Sequence, residues 1–198
     1  MRSTVKSLTG LFLLPLVISS VYASPQGGVI TSGSGNIQAV DPQTTVVDQQ
    51  SQTLSIDWQS LNLATNESLQ FNQPGRESVA LNHILDQRPS EIFGQINANG
   101  RVFLMNPNGI IFGETARINV GALVAGAFHL DFESLSQSSS YNLSIGDGLV
   151  ENNGIIKVAE GGSVALIGNS VSNNGVINAR LGKVHLLNAD AATLSFDS

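Results

Sequence analysis

The sequence predicts an all-β fold built as a parallel β-helix, a solenoid of short strands stacked along one axis. One observation is composition, because 20 glycines and only 12% charged residues in 198 are typical of many short strands joined by turns. A second is repetition, because Asn153-Gly154 recurs 21 residues later as Asn174-Gly175, and Gly162 recurs 20 residues later as Gly182. Such a repeat cannot bury its apolar face alone, so successive copies are expected to stack.

The N-terminus has the layout of a secretory signal peptide. Two basic residues precede an apolar run from Leu8 to Ile18, which is too short to span a bilayer. Small or apolar residues then occupy the positions before a cleavage site between Ala23 and Ser24. We therefore assign residues 1–23 to a signal peptide and expect the mature chain to begin at Ser24.

The segment 24–85 is less periodic, and we interpret it as an N-terminal cap followed by early rungs. Strands are predicted at 52–58 and 69–71, with turns at Pro42 and at Pro74-Gly75. A solenoid needs a covered first rung, since an open end exposes unpaired backbone edges.

Residues 86–198 are assigned to the rungs of the solenoid, with short excursions off the column. We expect one excursion at 82–96, with a short helix before Pro89, and a polar surface loop at 134–140. Between them, 97–130 shows the strand-and-turn pattern less regularly.

The last third of the chain carries the clearest pattern. Each copy has an Asn-Gly turn, a strand, a glycine-containing turn and a second strand with alternating apolar residues. The predicted strands are 155–159 and 164–167 in the first copy and 176–179 and 184–187 in the second. A β-sandwich or a leucine-rich solenoid fits these spacings less well. Since the sequence stops soon after a clean repeat, we expect it to be the front of a longer protein whose C-terminal passenger is absent.

The sharpest local signal is Asn106-Pro107-Asn108-Gly109, followed by Ile110. Proline at the second position and glycine at the fourth favour a type I turn, and the Asn106 side chain can bond to the backbone two residues on. The apolar residues on both sides of the turn then become strands on adjoining faces. Taken alone, the motif predicts only a stable turn between two strands on adjoining faces of the solenoid.

This motif and its surroundings resemble the secretion domain of two-partner-secretion exoproteins, the family that includes filamentous haemagglutinin and the large haemophilus adhesins. The stretches that carry the resemblance are ANGRVFLMNPNGIIFG, INVGALVAGAFHL, LSIDWQSLNLATNESLQF and SVALNHIL. They are spread over nearly the whole mature chain, and the family's Asn-Pro-Asn-Gly-Ile core matches Asn106, Pro107, Asn108, Gly109 and Ile110. A second family motif, Asn-Pro-Asn-Leu, is absent.

The resemblance implies an export route. The general secretion machinery would deliver the chain to the periplasm, where the periplasmic domains of a cognate outer-membrane β-barrel transporter recognise it at least partly unfolded. The chain would then cross the outer membrane and fold outside as a right-handed parallel β-helix, secreted or at the cell surface. Residues 106–110 are the candidate transporter-recognition motif. The passenger would supply any contact with a host cell, and adhesin, haemolysin, haem acquisition and contact-dependent toxin all stay open.

The charge balance argues against nucleic-acid binding. Of 9 basic residues the predicted signal peptide holds Arg2 and Lys6, so the mature chain has 7 basic and 15 acidic residues, a net charge of −8. Such a surface repels phosphate backbones. Cysteine is absent, so the fold depends on its core and backbone hydrogen bonds.

The sequence offers no catalytic arrangement, and we predict no enzyme activity, no cofactor and no metal. His83 and His129 lack a neighbouring histidine at ligand spacing, and His185 is expected on the solvent side of a strand. A polysaccharide-cleaving β-helix would need stacked carboxylates, and Glu160 and Asp190 occupy non-equivalent positions. An adhesive surface module is the other alternative, which an exposed apolar patch would favour.

Overall fold

The computed structural model describes residues 24–129, 140–189 and 191–195. The predicted signal peptide and residues 134–139 of the predicted polar loop lie outside these ranges. The described residues form 21 strands and no helix, so none of them belongs to a helix long and apolar enough to cross a membrane. The strands are β1 (Val29–Ser32), β2 (Gly35–Asp41), β3 (Thr44–Gln49), β4 (Thr53–Trp58), β5 (Ser68–Asn72), β6 (Val79–Ile84), β7 (Ser90–Ile92), β8 (Gln95–Ala98), β9 (Arg101–Met105), β10 (Gly109–Phe112), β11 (Arg117–Val120), β12 (Ala122–Gly126), β13 (Phe128–His129), β14 (Ser140–Ile145), β15 (Leu149–Asn152), β16 (Ile155–Val158), β17 (Val164–Gly168), β18 (Ser170–Asn173), β19 (Val176–Asn178), β20 (Val184–Asn188) and β21 (Ala191–Ser195).

Three sheets form the sides of a column. Sheet 1 has the order β1-β4-β6-β9-β12-β17-β20, sheet 2 has the order β19-β16-β11-β8-β5-β3-β2, and sheet 3 has the order β18-β15-β10-β7. From β4 onward, neighbouring strands of sheet 1 are parallel, as are those of sheet 3. This is the parallel β-helix that the sequence predicts, with about six turns.

Each complete coil contributes one strand to every sheet. The chain passes from β10 in sheet 3 to β11 in sheet 2 and β12 in sheet 1, and then repeats the path with β15, β16 and β17 and again with β18, β19 and β20. The final two coils are in register, since Ile155 pairs with Val176 and Val164 pairs with Val184. The predicted alignment of the two late copies is therefore confirmed.

Antiparallel pairing closes the N-terminal end. β1 pairs antiparallel with β4, and β2 pairs antiparallel with β3 to form the edge of sheet 2. β4 and β5 also match the strands predicted in this part of the sequence. The structure thus confirms an N-terminal β cap, in which short antiparallel strands occupy the edges that the parallel rungs leave open.

The core lies inside the column. Alternate residues of each strand point inward, and the register superposes them from rung to rung, as for Leu69 on Ile96 and Val102 on Leu123. Trp58 is fully buried in this cluster, and its indole N–H donates to Asn82 Oδ1 over 2.9 Å. The tryptophan therefore packs in the core of the first rungs.

One excursion covers the outer face of sheet 1. β13, β14 and β21 form a separate antiparallel sheet. Its residues Phe128 and Leu143 pack against Leu81, Phe103 and Ile167, which form a second apolar cluster outside the column. Sheet 1 is thus buried on both faces here, which explains its near-continuous apolar strands.

The helix predicted before Pro89 is wrong, and so is most of the excursion predicted at 82–96. Residues up to Ile84 continue β6, which pairs with β4 on one side and β9 on the other. β7 begins directly after Pro89, so only the short connection between β6 and β7 leaves the strands. Parallel partners on both sides outweigh the local sequence preference.

Candidate functional site

The Asn106–Gly109 segment forms the corner between β9 and β10. The Gly109 N–H donates to the Asn106 carbonyl oxygen over 2.8 Å, which closes the predicted four-residue turn. The Asn108 N–H donates to Asn106 Oδ1 over 3.0 Å, as expected for an asparagine at this position. Gly109 has a φ of 111°, a conformation that L residues rarely adopt, so glycine is required there.

The Asn106 side chain is fully buried and all of its polar atoms are used. Its Nδ2 donates to the Arg88 carbonyl over 3.0 Å and to Ser90 Oγ over 3.1 Å, both on the preceding coil. Its backbone N–H donates to the Gly126 carbonyl on the following coil over 3.0 Å. Asn106 thus ties three coils together and presents no side-chain atom to solvent.

Pro107 and Asn108 are the accessible part of the motif. Asn108 is exposed, although its Nδ2 donates to the Asp86 carbonyl over 2.9 Å. Pro107 is half-buried, and its carbonyl accepts the Gly148 N–H over 3.2 Å. Ile110 points into the core and is fully buried. The structure therefore divides the motif into a buried part and an exposed tip.

The residues that hold this corner from the neighbouring coils were not predicted from the sequence. They are the backbone of the connection from Asp86 to Ser90 and the glycine-rich turn at Gly146 and Gly148. A Cβ on Gly148 would lie 2.3 Å from the Gly109 nitrogen, so the two turns stack without room for a side chain. The only sequence signal for this contact is the pair of glycines itself.

The two Asn-Gly turns of the late coils also stack, as the sequence predicts. Asn174 Nδ2 donates to Asn153 Oδ1 over 3.1 Å, and a Cβ on Gly175 would lie 2.1 Å from the Gly154 carbonyl oxygen. The preceding asparagine, Asn152, is the buried one, and its Oδ1 accepts the Gly154 N–H over 3.1 Å. Asn152 therefore resembles Asn106, because each is a buried asparagine whose Oδ1 accepts the backbone N–H two residues later.

Of the predicted cleavage site, only Ser24 lies among the described residues. Its hydroxyl donates to Glu67 Oε1 over 2.7 Å, and Glu67 Oε2 accepts the Ala64 N–H over 2.7 Å. The chain that follows is joined to the first rung by hydrogen bonds between the backbones of Gln26 and Ser60.

The described residues contain no cluster of three or more histidines and carboxylates arranged to hold a metal ion. Glu160 lies 3.7 Å from Arg180 in an exposed ion pair, and Asp190 is outside the described residues. His185 is exposed, as predicted. His83 and His129, which lie 46 positions apart in sequence, meet on the outer face of sheet 1 with their ring nitrogens 3.4 Å apart.

Comparison with known proteins agrees with this architecture. The family described as the TPS secretion domain matches residues 22–195. A heme/hemopexin-binding protein of Haemophilus influenzae is 34% identical over 194 residues, which cover 91% of this chain and 21% of that protein. A second protein of that name and species is 32% identical over 138 residues, which cover 68% of this chain and 15% of that protein. This chain thus spans only about a fifth or less of the length of these relatives.

A solved structure extends the likeness to the fold. The crystal structure of the HMW1 secretion domain from Haemophilus influenzae superposes with a TM-score of 0.80 and 31% sequence identity, covering 86% of this chain and 46% of that one. These secretion modules are not enzymes, and the family implies export across the outer membrane with the help of a transporter. From its solenoid fold and the match over 22–195, the chain belongs to the TPS secretion domain family of two-partner-secretion exoproteins.

Proposed function

We propose that this domain directs its exoprotein to a dedicated outer-membrane β-barrel transporter and then nucleates folding of the β-helix at the cell surface. The observation that carries the proposal is the family match over 22–195, which takes in nearly the whole mature chain. In this proposal, residues 1–23 are a signal peptide that is cleaved between Ala23 and Ser24. The secretion machinery delivers the rest to the periplasm.

The buried corner supports a proposal about which form of the chain the transporter recognises. In the folded domain the Asn106 amide is enclosed by neighbouring coils, and only Pro107 and Asn108 reach the surface. A receptor that contacts the whole motif must therefore bind before this corner closes. We propose that the transporter's periplasmic domains recognise the Asn106–Ile110 segment in a partly unfolded chain, which can add as a strand to an exposed sheet edge.

The order of strands supports folding from the N-terminal end. The antiparallel cap forms between segments close in sequence, such as β2 and β3. Each later coil then forms its hydrogen bonds with the coil before it. Because the loop closed at each step is short, the entropy cost of each step is small. Emergence of the chain from a pore in N-to-C order would suit this path.

A second proposal concerns the exoprotein as a whole. Its relatives are named for heme and hemopexin binding, and this chain covers only 21% of one of them. Among the passenger activities that the sequence leaves open, the names favour haem acquisition by the full-length exoprotein. Retention of the full-length protein, but not of this domain, on haem-agarose would support that assignment.

An export assay tests the transporter proposal. The chain is expressed with and without its cognate transporter, and the fraction in the medium is measured for the wild type, Asn106→Ala, Asn108→Ala and Asn82→Ala. Asn82 is a matched control, because it is also fully buried and hydrogen-bonded but lies outside the motif, one rung earlier in β6.

We expect export to require the transporter, and we expect Asn106→Ala to reduce it several-fold more than Asn82→Ala. Equal export of these two variants, at equal loss of stability, would mean that the motif matters only as a structural corner. Export that does not depend on the transporter would overturn the proposal itself.

A further inference from the structure

His83 and His129 form a pair that the export function does not use. His83 lies in β6 in register with Asp57 of β4, and His129 lies in β13, where the chain leaves the column. Their rings are 5.5 Å apart between centroids and inclined at 69°, with His83 Nε2 3.4 Å from His129 Nδ1. Two ring nitrogens from different sheets thus face each other on the outer surface of sheet 1.

The distance between the nitrogens is informative. Hydrogen bonds between well-placed heavy atoms are usually about 2.7–3.2 Å long, so 3.4 Å is long for a direct bond between the rings. Two nitrogens on one tetrahedral zinc ion, each about 2.0–2.1 Å from the metal, lie roughly 3.3–3.4 Å apart. Two adjacent ligands of a square-planar ion at the same metal distance lie only about 2.9 Å apart. The observed separation therefore fits a tetrahedral ion between the rings.

Asp57 prepares His83 for this role. Its Oδ1 lies 3.5 Å from His83 Nδ1, on the opposite side of the ring from the nitrogen that faces His129. A carboxylate this close favours the proton on the nearer ring nitrogen through its charge, which leaves the lone pair on the nitrogen that faces His129.

The backbone around His129 is fixed by its neighbours. Phe128, the neighbouring residue, is fully buried, and His129 pairs with Ser144 of β14, which fixes the backbone. The His83 side chain is 21% exposed, so solvent can reach the gap.

We propose that His83 and His129 bind a zinc ion, with Asp57 as the residue that orients His83 and with water as the remaining ligands. The two ligands belong to different layers, since β6 is part of the column and β13 belongs to the covering sheet. Bound zinc would therefore fasten the covering sheet to the column once the protein is outside the cell.

Titration calorimetry of the exported chain, purified without a histidine tag, tests the proposal with ZnCl₂ as the probe. We expect one equivalent of zinc per chain. Substitution Asp57→Asn is expected to weaken binding about 10–100-fold, the usual effect of losing an outer-shell partner, and His83→Gln or His129→Gln at least as much. His185→Gln is the matched control, because His185 is exposed on the same sheet, and it should leave zinc affinity unchanged.

A measurement on the wild type keeps the test independent of how the variants fold. In NMR spectra, ZnCl₂ should shift the imidazole resonances of His83 and His129 and leave those of His185 in place. Absence of binding, equal shifts at all three histidines, or unchanged affinity in folded His83→Gln and His129→Gln proteins would each overturn the proposal.

Discussion

At the scale of single residues, buried asparagines hold the column together. Asn82, Asn106 and Asn152 are each fully buried, and each bonds to backbone atoms or side chains of neighbouring coils. A buried side-chain amide destabilises the fold when it lacks hydrogen-bond partners. When it has them, it favours one arrangement of its neighbours over others. These residues therefore fix the register between successive coils. Apolar contacts are not directional and specify this register less strictly.

We predict that Asn106→Ala lowers the free energy of unfolding by about 2–4 kcal/mol. The substitution removes the partner of the buried Ser90 hydroxyl and of the partly buried Arg88 carbonyl and Asn108 N–H, and a buried polar group left unsatisfied costs about 1–3 kcal/mol. Urea titration followed by circular dichroism measures the change. Asn108→Ala serves as the control and should cost less than about 1 kcal/mol, because its side chain is exposed. Equal losses for the two variants would refute the division of the motif.

The turn at Asn106 could be predicted from sequence because it depends on four adjacent residues. Its partners Arg88 and Ser90 could not, since their backbone and hydroxyl groups come from another coil. The contact between His83 and His129 could not be predicted for the same reason, because they are 46 positions apart in sequence. Interactions between adjacent residues specify the turn, whereas the stacking of the coils determines which other residues contact it.

At the scale of elements, glycines allow the corners to stack. A Cβ on Gly121 would lie 2.5 Å from the Gly100 carbonyl oxygen, one on Gly162 would lie 2.0 Å from that of Gly121, and one on Gly182 would lie 1.7 Å from that of Gly162. Four successive coils thus approach each other through backbone alone at the corner that leads into sheet 1. No other residue permits this distance between coils.

Gly162→Ala is therefore predicted to destabilise the domain by about 1–3 kcal/mol, since the added methyl group must displace backbone in a packed stack. Gly75→Ala is the matched control, because nothing lies within 4 Å of a Cβ at that position, and it should change stability by less than about 1 kcal/mol. Thermal denaturation of both variants provides the measurement. A Gly162→Ala protein as stable as the control would show that the glycine stack is not needed.

The late elements were predictable and the earlier ones less so, for a physical reason. β16, β17, β19 and β20 repeat one pattern at nearly constant spacing, so each copy supports the assignment of the other. Leu123 and its partner Val164 are 41 positions apart in sequence, because β13 and β14 leave the column. Insertions of this kind interrupt the repeat in the sequence. The end of the strand at Ile84 was for this reason assigned to the excursion predicted at 82–96.

At the scale of the whole molecule, the two ends of the column differ. The N-terminal rungs lie under the antiparallel cap and contain Trp58, which is fully buried. The last described rung leaves Val184 and Leu186 each 45% exposed. In a solenoid each coil is stabilised by its neighbours, so the coil with fewer covered side chains should open first.

We accordingly predict that unfolding begins at the β18–β20 coil. Trp58 is the single tryptophan, so its fluorescence reports on the early rungs, whereas circular dichroism reports on all strands. In a urea titration the dichroism signal should begin to fall at lower urea than the tryptophan emission changes. Coincident transitions would instead show that the domain unfolds as one cooperative unit.

Export of this domain is proposed to depend on direct recognition of the corner motif by the transporter. Photocrosslinking during arrested export tests this, with a photoreactive residue placed at Asn108 in one protein and at Lys157, an exposed position on sheet 2, in the control. We predict crosslinks from position 108 to the transporter's periplasmic domains that clearly exceed those from position 157. Crosslinks that are absent, or equal at both positions, would contradict recognition through this motif.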